Sequence, residues 1–294
     1  MDERDRLARR FEAHRGHLRA VAYQMLGSLS EADDAVQEAW LRLGRADAGA
    51  VENLGGWLTT VVARVCLDML RARTARREEP LGPHLPDPVV GRADGLDPEQ
   101  EALLAEGVGL ALLVVLDTLT PAERLAFVLH DLFAVPFEEV AAVLGRSGTA
   151  ARQLASRARR RVRQAAPVPD ADRARQRALV DAFLAAARGG DVDALLAVLD
   201  PDVVVRADRG PVPAGASRLV RGARAAAEQA LAFSLRAPLA RPALVNGAAG
   251  LVVAAQGRPL SVMAFTVAGG RIVEIDILAD PERLRRLDLA VPAG

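Results

Sequence analysis

The sequence predicts a multidomain chain: two all-α units followed by an α+β unit. Three observations predict this. Apolar residues recur at helical spacing as far as residue 163. A stretch dense in proline and acid, residues 76–103, interrupts that pattern. From residue 167 the pattern changes to alternating strands with glycine turns. The 294 residues are 51% hydrophobic and 26% charged, the balance of a folded chain and not of a disordered one. No apolar run approaches the roughly 18 residues of a membrane span. The start, Met1-Asp2-Glu3-Arg4-Asp5-Arg6, is charged and has no apolar signal core, so a cytoplasmic location is expected. A single cysteine, Cys66, excludes a disulfide framework and a Cys-rich metal site, and neither metal nor cofactor is expected.

Net charge is zero, with 38 basic and 38 acidic residues, and every basic residue is arginine. The sum hides unlike parts. Residues 1–75 balance at 11 Arg against 11 acids, and residues 76–103 carry 3 Arg against 7 acids. Residues 146–163 hold 7 Arg and no acid. From residue 167 onward 16 Arg face 14 acids.

In the first unit Ser30 is read as the cap of a helix over about 31–44, with Asp33 near N3. Ala35, Val36, Ala39, Trp40 and Leu43 form its apolar face. Its other side carries Asp34, Gln37, Glu38, Leu41 and Arg42, an acidic patch beside an apolar residue that suits a basic partner helix. Asn53 caps a second helix over about 55–73, with Leu54, Trp57, Leu58, Val61, Val62, Val65 and Met69 as its buried stripe. Thr60, Arg64, Asp68 and Arg71 line another face. Arg64 and Asp68 are spaced for a surface ion pair, and with the following arginines the row also suits phosphate tracking.

Thr120-Pro121-Ala122-Glu123 starts a helix, with a capping Thr, Pro at N1 and Glu at N3. Its apolar side is Leu125, Phe127, Val128 and Leu132. Residues 137–144 form a short helix that Gly145 ends, Arg146-Ser147-Gly148 is the turn, and an Arg-rich helix runs from about Thr149 to Val162. This is helix-turn-helix spacing. A helix fits the major groove, its N-terminal side chains meet base edges, and its arginines neutralise phosphates. Ser147, Thr149, Arg152, Gln153 and Ser156 suit bases or nearby phosphates. Arg157, Arg159, Arg160, Arg161 and Arg163 suit the backbone, and Arg146 in the turn belongs to the same basic surface.

Residues 175–290 read as helix, helix, strand, helix, four strands and a final helix. Gly189-Gly190 stops the first helix and Asp191 caps the second. A strand covers 202–207 and a helix 222–233, with hairpin turns at Asn246-Gly247, Gly257-Arg258 and Gly269-Gly270. This order predicts an antiparallel sheet around helices, with room for a pocket. Glu274 and Asp276 share one strand face, read as a solvated outer face. Beyond Ala166 there is no His, Tyr, Cys or Trp for acid–base work, so the chain is not read as an enzyme.

These motifs resemble a known family. Asp33-Asp34-Ala35-Val36-Gln37-Glu38-Ala39-Trp40-Leu41 is similar to the core-polymerase-binding segment of region 2 in extracytoplasmic-function (ECF) sigma factors. Trp57 through Arg73 resembles the helix used on the −10 promoter element, and Pro121 through Arg160 resembles region 4, which reads the −35 element. The C-terminal part is similar to the SnoaL-like, ketosteroid-isomerase-like cone fused to one group of these factors. The resemblance implies a region 2 helical bundle at 1–75, a linker at 76–103, a region 4 helix-turn-helix at 104–166, a short linker at 167–174 and the cone at 175–290.

It implies that Asp33, Asp34, Gln37, Glu38 and Leu41 dock on the polymerase's β′ coiled coil, and that Asn53, Thr60, Arg64, Asp68 and Arg71 lie at the melted −10 region. It places a base-capturing loop at about Arg45 to Glu52. Three motifs of the fused group recur in altered form. His84-Leu85-Pro86-Asp87-Pro88 stands in the linker. Asp280-Pro281-Glu282-Arg283-Leu284 stands in the tail. Asp208-Arg209-Gly210 is the loosest match. A contact of Leu85, Pro86, Asp87 and Pro88 with Asp280, Pro281, Arg283 and Leu284 is implied.

The function expected is an alternative sigma factor regulated by its own C-terminal domain, which has room for an unidentified small-molecule ligand. The partners are core RNA polymerase and promoter DNA. The other reading is a stand-alone, ligand-responsive helix-turn-helix regulator, which has no need of the acidic 31–44 face.

Overall fold

The computed structural model describes residues 3–45, 52–76, 84–104, 109–210, 218–234 and 236–287. The chain divides into two compact units. The first comprises Met1–Glu78, Pro98–Gly107 and Leu113–Ala165; the second comprises Glu79–Asp97, Val108–Leu112 and Ala166–Gly294. The prolines of the linker stop helix growth, but the segment is not featureless. It carries a strand, β1 (Val90–Arg92), and a short helix, α4 (Pro98–Leu103).

The first unit opens with α1 (Glu3–Leu26), a helix absent from the elements read in the sequence. Phe11, Leu18, Val21, Ala22 and Met25 fall at helical spacing and are almost fully buried. Gly27, at φ 70°, takes the left-handed conformation that lets the chain reverse. Helix α2 follows at once, Leu29–Leu43, capped by Ser28 and not by Ser30. With the turn placed at Gly27, the Ser28 hydroxyl accepts from Glu31 N–H at 3.5 Å, and Ser30 already lies inside the helix.

Helix α3 (Leu54–Arg76) has the expected Asn53 cap, whose Oδ1 accepts from Gly56 N–H at 3.0 Å. Its buried face is wider than the predicted stripe and includes Ala63, Cys66, Leu67 and Leu70. Trp57 and Met69, expected in the core, are half-exposed, because α1 and α2 both pack against α3 and turn its buried sector away from them. Burial pushes the Cys66 thiol up to about 12.

Helices α5 (Leu110–Asp117), α6 (Pro121–Phe127), α7 (Phe137–Leu144) and α8 (Gly148–Ala165) follow. Thr120 and Glu123 form the capping box predicted for α6, and a π turn, Val128–Leu132, extends it. Leu125, Phe127 and Val128 are buried as expected, whereas Leu132, at the end of that turn, is half-buried. Gly145, at φ 63°, closes α7 as the sequence predicts. Arg124 is 3% exposed and donates to the Gln24 carbonyl at 3.2 and 3.1 Å while pairing with Asp117, which ties α6 to α1.

The second unit is a seven-stranded sheet with helices packed on one face. Helices α9 (Arg173–Gly189), α10 (Val192–Val198) and α11 (Ala223–Ala232) share a core with β2 (Leu199–Asp208), β5 (Ala248–Ala255), β6 (Arg258–Ala268) and β7 (Arg271–Leu278). The remaining strands are β3 (Arg218–Arg221) and β4 (Ala240–Val245), and α12 (Pro281–Arg286) ends the order. Strand order is β1-β4-β5-β6-β7-β2-β3. The sheet is not wholly antiparallel, as β2 runs parallel to β7. Linker strand β1 extends the sheet at β4, with Val90 opposite Val245. The second hairpin turns at Gln256-Gly257, both with positive φ, one residue before the predicted pair.

Candidate functional site

The α2 face is built by periodicity: burying Ala32, Ala35, Val36, Ala39 and Leu43 leaves the intervening residues outside. Asp33, Asp34, Gln37 and Leu41 are exposed and Glu38 is half-exposed. Leu41, at 47% exposure, is a large apolar side chain left in water. Asp33 receives Arg19 Nε at 2.7 Å, and Glu38 receives Arg42 Nε at 2.8 Å. Asp34 has no ion pair among the described residues.

On α3, Arg64, Asp68 and Arg71 are exposed and Thr60 is half-exposed, so the predicted row shares one face. The Arg64–Asp68 pair does not form. Asp68 instead faces Arg71 at 3.7 Å, and Arg64 Nη2 reaches the Ala142 carbonyl on α7 at 3.4 Å. The exposed carbonyls near a helix C-terminus attract a cation, which accounts for the exchange. Asn53 is committed to its cap. The base-capturing loop expected at 45–52 falls mostly on residues outside those described.

On α8, burial of Ala151, Leu154, Ala155 and Ala158 turns the opposite face outward. Arg146, Ser147, Thr149, Arg152, Gln153, Ser156, Arg157 and Arg160 are all exposed. Ser147 has a structural task as well, since its hydroxyl accepts from Ala150 N–H at 3.2 Å. Arg152 bonds Glu138 at 2.7 Å and lies over the Phe137 ring at 5.4 Å. Arg157 and Arg161 face Glu123 at 3.4 and 3.3 Å. Arg159, read as a backbone contact, is half-buried and engages Asp131. Arg146 and Arg160 have no acidic partner among the described residues. A groove of about 530 Å³ brings Arg71 of α3 beside Arg146 and Arg157.

Linker and tail meet in the second unit. Arg283 donates to Asp87 Oδ1 at 2.6 Å, to Asp208 Oδ2 at 2.7 Å and to the Leu85 carbonyl at 2.6 Å. The Leu85 N–H in turn donates to Asp208 Oδ2 at 3.0 Å, and His84 Nδ1 lies 3.4 Å from the same oxygen. Asp280 caps α12 by accepting from Glu282 and Arg283 N–H, with Pro281 at N1 and Leu284 buried beneath. Pro86 and Pro88 are buried beside Asp87.

Asp208, in the motif that matches the family least well, is the centre of this cluster. The loose match suffices because only two of its features are used. The Asp208 carboxylate accepts from Gly210 N–H at 3.0 Å, and Gly210 sits at φ 77° where a Cβ would come 2.7 Å from Asp280. Burial pushes the Asp208 carboxyl up. The bonds from His84, Leu85 and Gly210 and the Arg283 charge outweigh that and hold it below the ordinary carboxylate range.

Glu274 and Asp276 correct another expectation. They share a strand face, but it is buried, with Asp276 at 2% exposure. Arg206, opposite Asp276 in the β2–β7 register, bonds Asp276 at 3.0 Å and Glu274 at 2.8 Å. Burial pushes the Asp276 carboxyl up to about 6, against the pull of Arg206.

A cavity of about 50 Å³ lies between α9, α11 and the sheet. None of Asp202, Asp208, Glu228, Glu274 or Asp276 lines it. Among the described residues no helix is long and apolar enough to cross a membrane, and no His, Cys, Asp or Glu cluster suits a metal.

Residues 10–76 match the family model for Sigma-70 region 2, and residues 109–162 match that for Sigma-70, region 4. SigJ of Mycobacterium tuberculosis strain H37Rv, described as an ECF RNA polymerase sigma factor, is 40% identical over 287 residues. That match covers 93% of this chain and 91% of SigJ. SigI of Mycobacterium tuberculosis strain CDC 1551, described as a probable ECF RNA polymerase sigma factor, is 34% identical over 298 residues, spanning 100% of both chains. The crystal structure of the Mycobacterium tuberculosis extracytoplasmic function sigma factor SigJ superposes with a TM-score of 0.78. It is 38% identical and covers 96% of this chain and 99% of its own.

Proposed function

The chain belongs to the ECF RNA polymerase sigma factors, and on that premise we propose which surfaces carry its work. As a sigma factor it binds core RNA polymerase and directs initiation at promoters; the polymerase performs the chemistry, and this chain is a transcription factor working in the cytoplasm. Asp34, Gln37, Glu38 and Leu41 of α2 dock on the β′ coiled coil, with Asp33 at the edge of the patch. The observation that carries this is an exposed leucine beside exposed and half-exposed acids on the outer face of a helix whose other face is buried. The α3 row of Thr60, Arg64, Asp68 and Arg71 meets the melted −10 region, with Asn53 fixing the start of that helix. The outer face of α8 and the turn before it read the −35 element, and Arg146 and Arg160 have no acidic partner to displace among the described residues. A stand-alone regulator has no use for the region 2 segment or its acidic face.

The −10 and −35 elements are about 25 base pairs apart, or roughly 85 Å at 3.4 Å per step. Here Arg71 shares one groove with Arg146 and Arg157, and Arg64 is bonded to α7. Reading both elements therefore requires regions 2 and 4 to separate. The second unit regulates this chain through its hold on the linker, whose Leu85 and Asp87 are bound by Asp208 and Arg283.

The docking face is tested by charge reversal, Asp34→Arg with Glu38→Arg. Core-polymerase affinity is expected to fall at least about tenfold, the scale of losing central charge pairs. Binding of region 4 to a −35 duplex stays unchanged. Undiminished core binding would show that the face is wrong.

A further inference from the structure

The cavity in the second unit has apolar walls, including Phe183, Val205, Leu251 and Ile275. Among the described residues only two polar side chains line it, those of Gln229 and Arg236. Arg236 is exposed and sits at the rim, with its guanidinium 5.7 Å from the centre of the half-buried Phe233 ring. Gln229 Oε1 is buried and has no hydrogen-bond partner among the described residues. An orphaned buried acceptor is unfavourable, so a ligand that donates to it gains a bond the protein alone does not make.

We propose that this cavity binds a small neutral molecule with an apolar body and one hydrogen-bond donor, an alcohol or phenol, whose hydroxyl donates to Gln229 Oε1. Neutrality of the buried end follows from the walls: among the described residues no acidic side chain lines them, the one charged side chain, Arg236, is exposed at the rim, and an ion beside Gln229 would be buried without a partner. Size follows from volume. A space of about 50 Å³ is several times the roughly 10–15 Å³ that holds one water on the same measure, so it accepts a hydroxyl with part of the group that carries it. It takes the hydroxyl end, and the rest of the molecule lies along Phe233 toward the rim. With no His, Tyr or Cys beyond Ala166, the site binds and does no acid–base work.

This deepens the reading of the second unit as a regulator. Strand β2 supplies Val205 to the cavity and Asp208 to the linker cluster, and β7 supplies Ile275 and runs on to Asp280. A ligand thus touches the two strands that hold the linker. The binding claim itself stands on the cavity alone.

The test uses the full chain titrated with phenol and with toluene, which has nearly the same shape but no donor, followed by saturation-transfer NMR. Phenol is expected to bind saturably and about two- to tenfold tighter than toluene, the worth of one net hydrogen bond. Gln229→Leu removes that preference, and Ala230→Phe, which fills the cavity, abolishes both, while far-UV circular dichroism and the thermal midpoint show the variants folded. The proposal is overturned by no saturable phenol binding, by equal affinity for the two probes, or by phenol binding that survives Ala230→Phe in a folded chain. Each of these leaves the transcription assay of the full chain unaffected, so failure of the ligand site is distinct from failure of the regulatory reading.

Discussion

At the residue scale two aspartates show how environment sets opposite behaviour in one side chain. Asp208 is held below the ordinary carboxylate range by donors and the Arg283 charge. Its contribution to stability is present above about pH 4 and is lost as pH falls through its folded value. Asp276, pushed up to about 6 by burial, behaves the other way. Its contribution is full below about pH 4 and is lost as pH rises through about 6, a change on the order of 2–3 kcal/mol. Urea denaturation across pH is therefore expected to show a smaller loss between about pH 4 and 6 in Asp276→Asn, and a smaller acid-side loss in Asp208→Asn. Unchanged slopes would contradict these environments. Neither behaviour was legible in sequence. Alternation did place Glu274 and Asp276 on one face, but their cation comes from Arg206, about 70 residues earlier. Asp208 and Arg283 are 75 positions apart, and Asp87 and Arg283 are 196 apart. Only the fold brings them together.

At the element scale legibility follows the reach of the signal. Helices α6 and α7 were placed closely because their signals are local: Thr120, Pro121 and Glu123 at one start and Gly145 at one end. The cap of α2 was misplaced because Ser28 and Ser30 both have capping chemistry, and only the reversal at Gly27 decides between them. Helix α1 gives no clear sequence signal because its apolar residues are interleaved with charge, and their common face emerges only against α2 and α3. Strand β1 has three residues and gains its partner from β4, more than 150 positions later. The predicted α8 residues do lie on one exposed surface, but its arginines are not equivalent, since several are drawn to Glu123, Asp131 and Glu138. Arg160→Ala should lower the slope of log affinity against log salt on a −35 duplex by about 0.9, one phosphate contact. Arg159→Ala, at a residue held by Asp131, should leave that slope nearly unchanged. Equal effects of the two would contradict the assignment.

At the scale of the whole molecule, neutral total charge coexists with a strongly basic helix because acidic and basic segments are separate along the chain. The linker is better understood as divided: Glu79–Asp97 goes with the second unit and Pro98–Gly107 with the first. On the proposed assignment regions 2 and 4 lie together while their DNA targets lie roughly 85 Å apart, so promoter binding is expected to open the first unit. Fluorophores at Glu12→Cys and Gln164→Cys report this directly, since the native Cys66, buried and with its thiol near 12, resists labelling. Transfer efficiency is expected to drop when core polymerase and promoter are added, and a constant value would contradict opening. The central claim, that this chain is a sigma factor working through the α2 face, is tested most directly by promoter-dependent transcription with purified core polymerase. A specific transcript is expected to require the chain and to be lost with the Asp34→Arg, Glu38→Arg pair. Absence of core binding and of specific initiation from any promoter by the intact chain would contradict it.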